Sequence, residues 1–419
     1  CLSDGDGRNG GWLAEQGLAV TAVDASSVAT DLARTHDTAR GVTAERRFLD
    51  YALFVTFFPQ LIAGPIVHYK ETLPQFRRFG TVGLKLSNLA VGLTIFAIGL
   101  FKKTVIADGI ATVSTPVFLA AGQGSEPDLL QAWSGALAYS FQLYFDFSAY
   151  SDMAIGAARM FGVRLPINFH APYRATSVID FWRRWHITLS RFLRDYVYIP
   201  LGGNRGRFGA RYRNMLLTML IGGLWHGAGW TFVLWGGLHG LFLVANHLWR
   251  RITGGLGTGA AARWTGRVLT FLVVVIAWVP FRAEDFDTAL RIWSGMAGLN
   301  GLILPQSLVG YVGGAPLEAL GAELAAIPLR ETAAVWGALG ALTLWVWTLP
   351  TPYMLLRRYR PGLRHDGGEA PNAWIPDGPA AGRLIWRPNM GWALLAAGAG
   401  AASVLAMMVG SSEFLYYQF

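Results

Sequence analysis

The stretch LLTMLIGGLWHGAGWTFVLWGGLHGLFLVANHLW, running from Leu216 to Trp249, decides the fold. It carries no charged side chain, and Arg213 and Arg250 bracket it. A bilayer crossing takes roughly 20 apolar residues, so the run is too long for one crossing. A hairpin broken near Gly227 and Gly229 explains the length and returns the chain to its starting side. His226 stands at that break, 13 residues beyond Arg213. That is roughly 20 Å along a helix rising 1.5 Å per residue, inside a hydrocarbon core of about 30 Å. A polar group at such depth is expensive and points to function. The surrounding glycines, Gly222, Gly223, Gly227 and Gly229, leave room for a substrate or a second helix.

The rest of the chain agrees with a membrane reading. Of 419 residues, 53% are hydrophobic and only 15% charged, where a soluble domain carries about 25% charged. Further apolar runs lie at 88–105, 131–153, 268–279, 333–349 and 390–409, with a shorter candidate crossing at 51–67. The 17 tryptophans fit the belts where helices meet lipid headgroups. The net charge of +9 does not mark a nucleic-acid surface. Its cations sit between the apolar runs, at Lys102 and Lys103, Arg183 to Arg194, Arg205 to Arg213, Arg250 and Arg251, and Arg357 to Arg364. From Tyr196 to Ala283 there are nine arginines and no acid. Under the positive-inside rule such loops are cytoplasmic, the 204–213 loop among them. The single cysteine, Cys1, allows no internal disulfide and no thiolate metal site. No His/Asp/Glu grouping has metal-ligand spacing, so no metal and no bound cofactor are expected.

Two further clusters carry polar groups into apolar surroundings. In Gln142 to Asp152, Tyr144, Asp146, Ser148 and Asp152 interrupt an apolar run. They face a cavity or bond one helix to another, and both readings stay open. In Ser177 to Arg194, Ser177 and Asp180 form a capping box that starts a helix. At 100° per residue Trp182, Trp185, Leu189, Phe192, Leu193 and Tyr196 share one face, with Arg183, Arg184, Arg191 and Arg194 opposite. This predicts a helix lying along the membrane surface with His186 on its buried side. His239 reads as structural, and His68 and His170 as interfacial. Two buried histidines on separate segments suit transfer of an acyl group to a hydroxyl, because histidine titrates near working pH. There is no Gly-x-Ser-x-Gly elbow, so direct attack by the acceptor hydroxyl is the simplest mechanism.

The ordered motifs Phe57 to Val67, Tyr144 to Ser148, Phe181 to Leu189, Tyr198 to Arg205 and Gly223 to Ala228, with the ending Glu413 to Phe419, resemble the membrane-bound O-acyltransferase family. They are most similar to its alginate O-acetyltransferase branch. The resemblance implies an all-α multi-pass fold, a helical cone with a central tunnel. It makes His226 and His186 the catalytic pair and Trp182, Trp225, Asp146 and Tyr144 candidates to line the tunnel. It also implies acetyl transfer from acetyl-coenzyme A to a bacterial exopolysaccharide, alginate first, at the inner membrane with periplasmic acetyltransferase partner proteins. Alternatives are D-alanyl or acetyl transfer to another envelope polymer or, in a different class, a transporter or channel. Transporters often show internal repeats, and none is found.

Residues 1–45 read differently from 46–419, the acyltransferase domain. Asp4-Gly5-Asp6-Gly7-Arg8-Asn9, followed by Ala19 to Asp24, resembles the opening of a class I S-adenosylmethionine-dependent methyltransferase, with Asp24 as the ribose-binding acid. No further strand–helix units follow, so a non-functional fragment is expected. The family's first transmembrane helices, which would precede 51–67, are expected to be missing, leaving the chain inactive or poorly folded.

Overall fold

The computed structural model describes residues 48–61, 64–82, 85–205, 208–254, 257, 259–363 and 384–409. The leader 1–45 and the closing motif 413–419 lie outside them. The described residues are mostly helical, with two four-residue strands among them, β1 (Leu302–Pro305) and β2 (Ala322–Ala325), which pair in parallel. Among the described residues, four helical stretches are long and apolar enough to cross a bilayer: Leu86–Gly122, Trp230–Thr253, Ala260–Arg282 and Met390–Val409.

The short crossing expected at 51–67 does not form. Helix α1 (Phe48–Thr56) stops at Thr56, a single 3-10 turn spans Phe58–Gln60, and residues 64–68 are in neither helix nor strand before α2 (Tyr69–Val82). Pro59 and Pro65 lack the N–H that a continuing helix would need. This segment and the start of α2 dock on the site region instead, where Ile66 N donates to Thr188 Oγ1 at 3.1 Å and Glu71 of α2 pairs with Arg191 at 2.5 Å.

The run expected at 88–105 is longer than its apolar core. Helix α3 (Leu86–Phe101) passes without a turn through a π-helical segment, Lys102–Ala107, into α4 (Asp108–Gly122). Against it stands α5 (Leu129–Met160), whose 32 residues make it about 48 Å long at 1.5 Å per residue. Its start is capped by Asp128, which accepts from Leu130 N at 2.8 Å. Almost every position of α5 from Ala132 to Ala158 is buried, which makes it the central post of the bundle. Small residues let α3 and α5 approach closely. A Cβ on Gly92 would sit 2.6 Å from the carbonyl oxygen of Gly156, and one on Gly156 would sit 2.7 Å from that of Gly92.

The expected hairpin is present. Helix α8 (Phe208–His226) ends at the histidine and α9 (Trp230–Thr253) begins three residues after Gly227. The glycines serve the crossing of these two helices. A Cβ on Gly223 would meet the Phe232 carbonyl oxygen at 2.3 Å, and one on Gly236 would meet that of Met219 at 2.3 Å. Helix α10 (Ala260–Arg282) packs on α9, and α11 (Phe286–Met296) follows it. Beyond the strands come α14 (Leu329–Thr348), numbered after two short helices, α12 (Val309–Val312) and α13 (Gly314–Ala319). A short α15 (Pro352–Leu355) and α16 (Met390–Val409) complete the described chain, the last matching the expected run at both ends. Arg174, itself buried, fastens the end of α14 by donating to the carbonyls of Val346, at 2.9 Å, and Leu349.

Candidate active site

The surface helix expected over 177–194 is two short helices, α6 (Val178–Trp182) and α7 (Ile187–Leu193). The cap is as expected, with Ser177 Oγ accepting from Asp180 N at 3.2 Å. The break falls at His186, whose φ of 41° and ψ of 54° are left-handed. Backbone of that kind costs a non-glycine residue on the order of 1–3 kcal/mol and needs surrounding structure to hold it. A turn of 100° per residue cannot be carried across it, so the expected apolar face is divided. Tyr196 is exposed, while Phe181 and Trp185 enter the main core. The segment is inserted among the long helices rather than laid on their surface.

Asn168 holds His186 in place. Its Oδ1 lies 3.0 Å from His186 Nδ1 and also accepts from Thr188 N at 3.3 Å and Thr188 Oγ1 at 2.9 Å. Its Nδ2 donates to Ser151 Oγ on α5 at 3.1 Å, and its carbonyl accepts from Ile187 N at 2.9 Å. An oxygen with two donors already assigned makes Nδ1–H of His186 the third, which leaves Nε2 with its lone pair. This tautomer is assigned from the network. The ring is 3% exposed and meets Phe147 edge-on at 4.8 Å. Asn168 was not legible as a site residue, since nothing in its sequence neighbourhood marks it.

His226 closes α8 half-buried, beside the helix break. Its ring stands perpendicular to Trp235 at 5.1 Å and lies 5.2 Å from Phe281. Among the described residues its side chain makes no hydrogen bond, so both ring nitrogens are available for chemistry. His186 and His226 flank one set of packed aromatic rings, His186 beside Phe169 and through it Trp185, and His226 against Trp235. An aromatic wall joins them: Trp185 packs on Trp278 at 4.9 Å, and Trp278 stacks on Trp235 at 5.7 Å.

The tunnel candidates divide. Trp182 is in the same wall, its Nε1 donating to His239 Nδ1 at 3.3 Å. Trp225 adjoins His226 but is 46% exposed, on the outer side of α8. Tyr144 is buried beside Tyr173 and Trp185 and faces a cavity of about 210 Å³ with Lys102, Phe145, Trp345 and Thr351. Asp146 lies on α5 where it meets the π-helical segment. It pairs with Lys103 at 2.8 Å, and Lys103 also holds Asp108 at 2.6 Å. Next to them Lys102 pairs with Asp152 at 2.8 Å, and Asp152 accepts from the Tyr353 hydroxyl. The π-helical segment makes this possible by turning two consecutive lysines inward. On the outer side of the hairpin, Leu220, Leu224, Ala228 and Trp230 line an open apolar cavity of about 470 Å³.

Long apolar helices, with His186 buried and His226 half-buried among them, define a multi-pass membrane protein. The profile of the membrane-bound O-acyltransferase family matches residues 12–279, and the chain belongs to that family. The match begins inside the leader 1–45. The chain is 52% identical over 257 residues to a peptidoglycan O-acetyltransferase of Helicobacter pylori, covering 61% of this chain and 48% of that protein. It is 48% identical over 261 residues to a probable alginate O-acetylase, AlgI, of Azotobacter vinelandii, covering 62% and 50%. A teichoic acid D-alanyltransferase of Streptococcus thermophilus is 27% identical over 261 residues, covering 58% and 63%. The chain spans about half the length of the first two of these relatives.

Proposed function

We propose that this chain transfers acetyl groups from acetyl-coenzyme A to hydroxyls of a bacterial exopolysaccharide, alginate first, at the inner membrane and together with periplasmic partner proteins. The observation that carries the reading is the unequal histidine pair. His186 is locked by Asn168 with Nε2 turned to other use, and His226 is unbonded at a helix break. His226 takes the proton of the acceptor hydroxyl as its oxygen attacks the acetyl carbon, then returns a proton to the departing thiolate. His186 positions the acceptor or donor by accepting a hydrogen bond at Nε2. The aromatic wall keeps water from competing as the nucleophile.

Peptidoglycan is the second acceptor to consider, favoured by the 52% identity to a protein named for acetylating it. Membranes carrying a full-length version of the enzyme as the parent, or its His226→Ala variant, are incubated with acetyl-labelled coenzyme A and either polymer. The reading predicts label on alginate with the parent and none with His226→Ala at equal protein. Label on alginate from the variant would refute the base role, and label on peptidoglycan alone would replace the acceptor.

A further inference from the structure

His239 was expected to be structural, and one side of its ring is. On the other side is an unmet need. His239 is completely buried within an aromatic box of Phe181, Trp182, Trp235, Phe242 and Trp278. Its Nδ1 accepts from Trp182 Nε1 at 3.3 Å, which fixes the ring's proton on Nε2. That Nε2–H is buried and, among the described residues, has no acceptor. The same is true of the indole Nε1–H of Trp235, a residue only 2% exposed. A buried donor left unmet costs about 1–3 kcal/mol, and natural structures seldom tolerate two side by side without a reason.

Their placement supplies one. Trp235 and His239 are four residues apart on α9 and so share a helix face, with their rings 5.0 Å apart. Trp235 also touches His226 at 5.1 Å, so this face borders the proposed base. Trp182, half-buried, and His226, half-buried, are where the box opens.

We propose that Trp235 Nε1–H and His239 Nε2–H are the donors for the carbonyl oxygen of the acyl thioester, and that Trp182 positions His239 by fixing its tautomer. This rests on the acyl-transfer reading above. As the hydroxyl oxygen bonds to the acyl carbon, its proton passes to His226 and the carbonyl electron pair moves onto oxygen. The two N–H groups hold that oxyanion. The pair then re-forms the C=O as the C–S bond breaks, and the thiolate takes the proton from His226. Thioester and alcohol go to ester and thiol with nothing left over. Neutral donors fixed in a dry, aromatic site are effective at this task because they need no reorganisation as charge develops.

The test uses the full chain in membranes with acetyl-coenzyme A and an alginate oligosaccharide, with rates per folded protein. Trp235→Phe and His239→Phe keep an aromatic ring and remove the donor. Each should lower kcat about 100-fold, the scale of one lost oxyanion donor, at little-changed KM for the thioester. His239→Gln, which restores an N–H at similar reach, should recover most of the loss. In the infrared, the carbonyl stretch of bound carbon-13-labelled acetyl-coenzyme A should lie below its aqueous position with the parent and move back in Trp235→Phe. Parent-like kcat in both phenylalanine variants, with His226→Ala inactive, would overturn the donor pair and leave the acyl-transfer reading standing. An unshifted carbonyl band in the parent would overturn it also, even if a variant did not fold. Activity in His226→Ala would instead overturn the reading beneath it.

Discussion

Two regions of this molecule bury polar groups in the same bilayer by opposite means. Where the π-helical segment meets α5, five charged groups are gathered, Lys102, Lys103, Asp108, Asp146 and Asp152, all of them in ion pairs of 2.6–2.8 Å. Where α9 meets α6, α8 and α10, the polar atoms set into the aromatic wall are ring nitrogens of Trp182, Trp235, His239 and Trp278. Several of those have unused hydrogen-bonding capacity. The first arrangement satisfies its charges internally and has little left to offer a ligand. The second leaves donors and acceptors open beside a helix break, and it is the one to which we assign the chemistry. A buried charge therefore marks function here only when its partners are known.

The largest effect that would break this contrast is a single substitution in the charged region. Lys103→Ala leaves Asp146 and Asp108 without their shared cation, a loss of about 3–5 kcal/mol for a buried pair. Membrane-inserted protein should fall sharply in a fluorescence-detected size-exclusion assay. Removing charge on both sides, as Lys103→Met with Asp146→Leu, should restore much of that loss. If instead Asp146→Leu left stability intact and abolished transfer, Asp146 would belong with the histidines.

Next in size is the glycine crossing beneath the histidine region. Gly236→Ala puts a methyl 2.3 Å from the Met219 carbonyl oxygen, a backbone atom that cannot move alone. Separation of α8 from α9 should cost about 1–3 kcal/mol as overpacking does and lower transfer with it. A thermal-shift assay read beside transfer would show both falling together.

How much of this was legible in the sequence varies along the chain. The 390–409 helix and the break after His226 were legible because length, hydropathy and glycine punctuation are local properties. The break at His186 was not, because its left-handed backbone is imposed by Asn168, a residue distant in sequence whose carbonyl and side chain grip both sides of the turn. Nor was the pairing of Asp146 with Lys103 legible, since the lysine is brought inward by a π-helical segment that no composition signal announces. Pairing across helices was the missing knowledge in each instance.

Asn168→Ala sharpens the comparison from the histidine side. It frees the His186 ring and Thr188 together, so transfer should fall about tenfold or more for a lost charge-orienting partner, of the kind seen when ligand-orienting groups are removed. His186→Ala should fall further, and Arg184→Ala less, because Arg184 is engaged with Asp180 at 2.8 Å, away from the rings. Rates from the three variants in one membrane assay test the order. The smallest effect is at the cap: Ser177→Ala should destabilise by about 1 kcal/mol, visible as a modest thermal shift with kcat retained.

The contrast between the regions is tested most directly by measuring, in the same cells, membrane protein level and polymer-bound acetate for His226→Ala and for the double variant Lys103→Met with Asp146→Leu. The account predicts full protein and no acetate for the first, and recovered protein with acetate for the second. Acetate from His226→Ala, or an abundant double variant that transfers none, would contradict it.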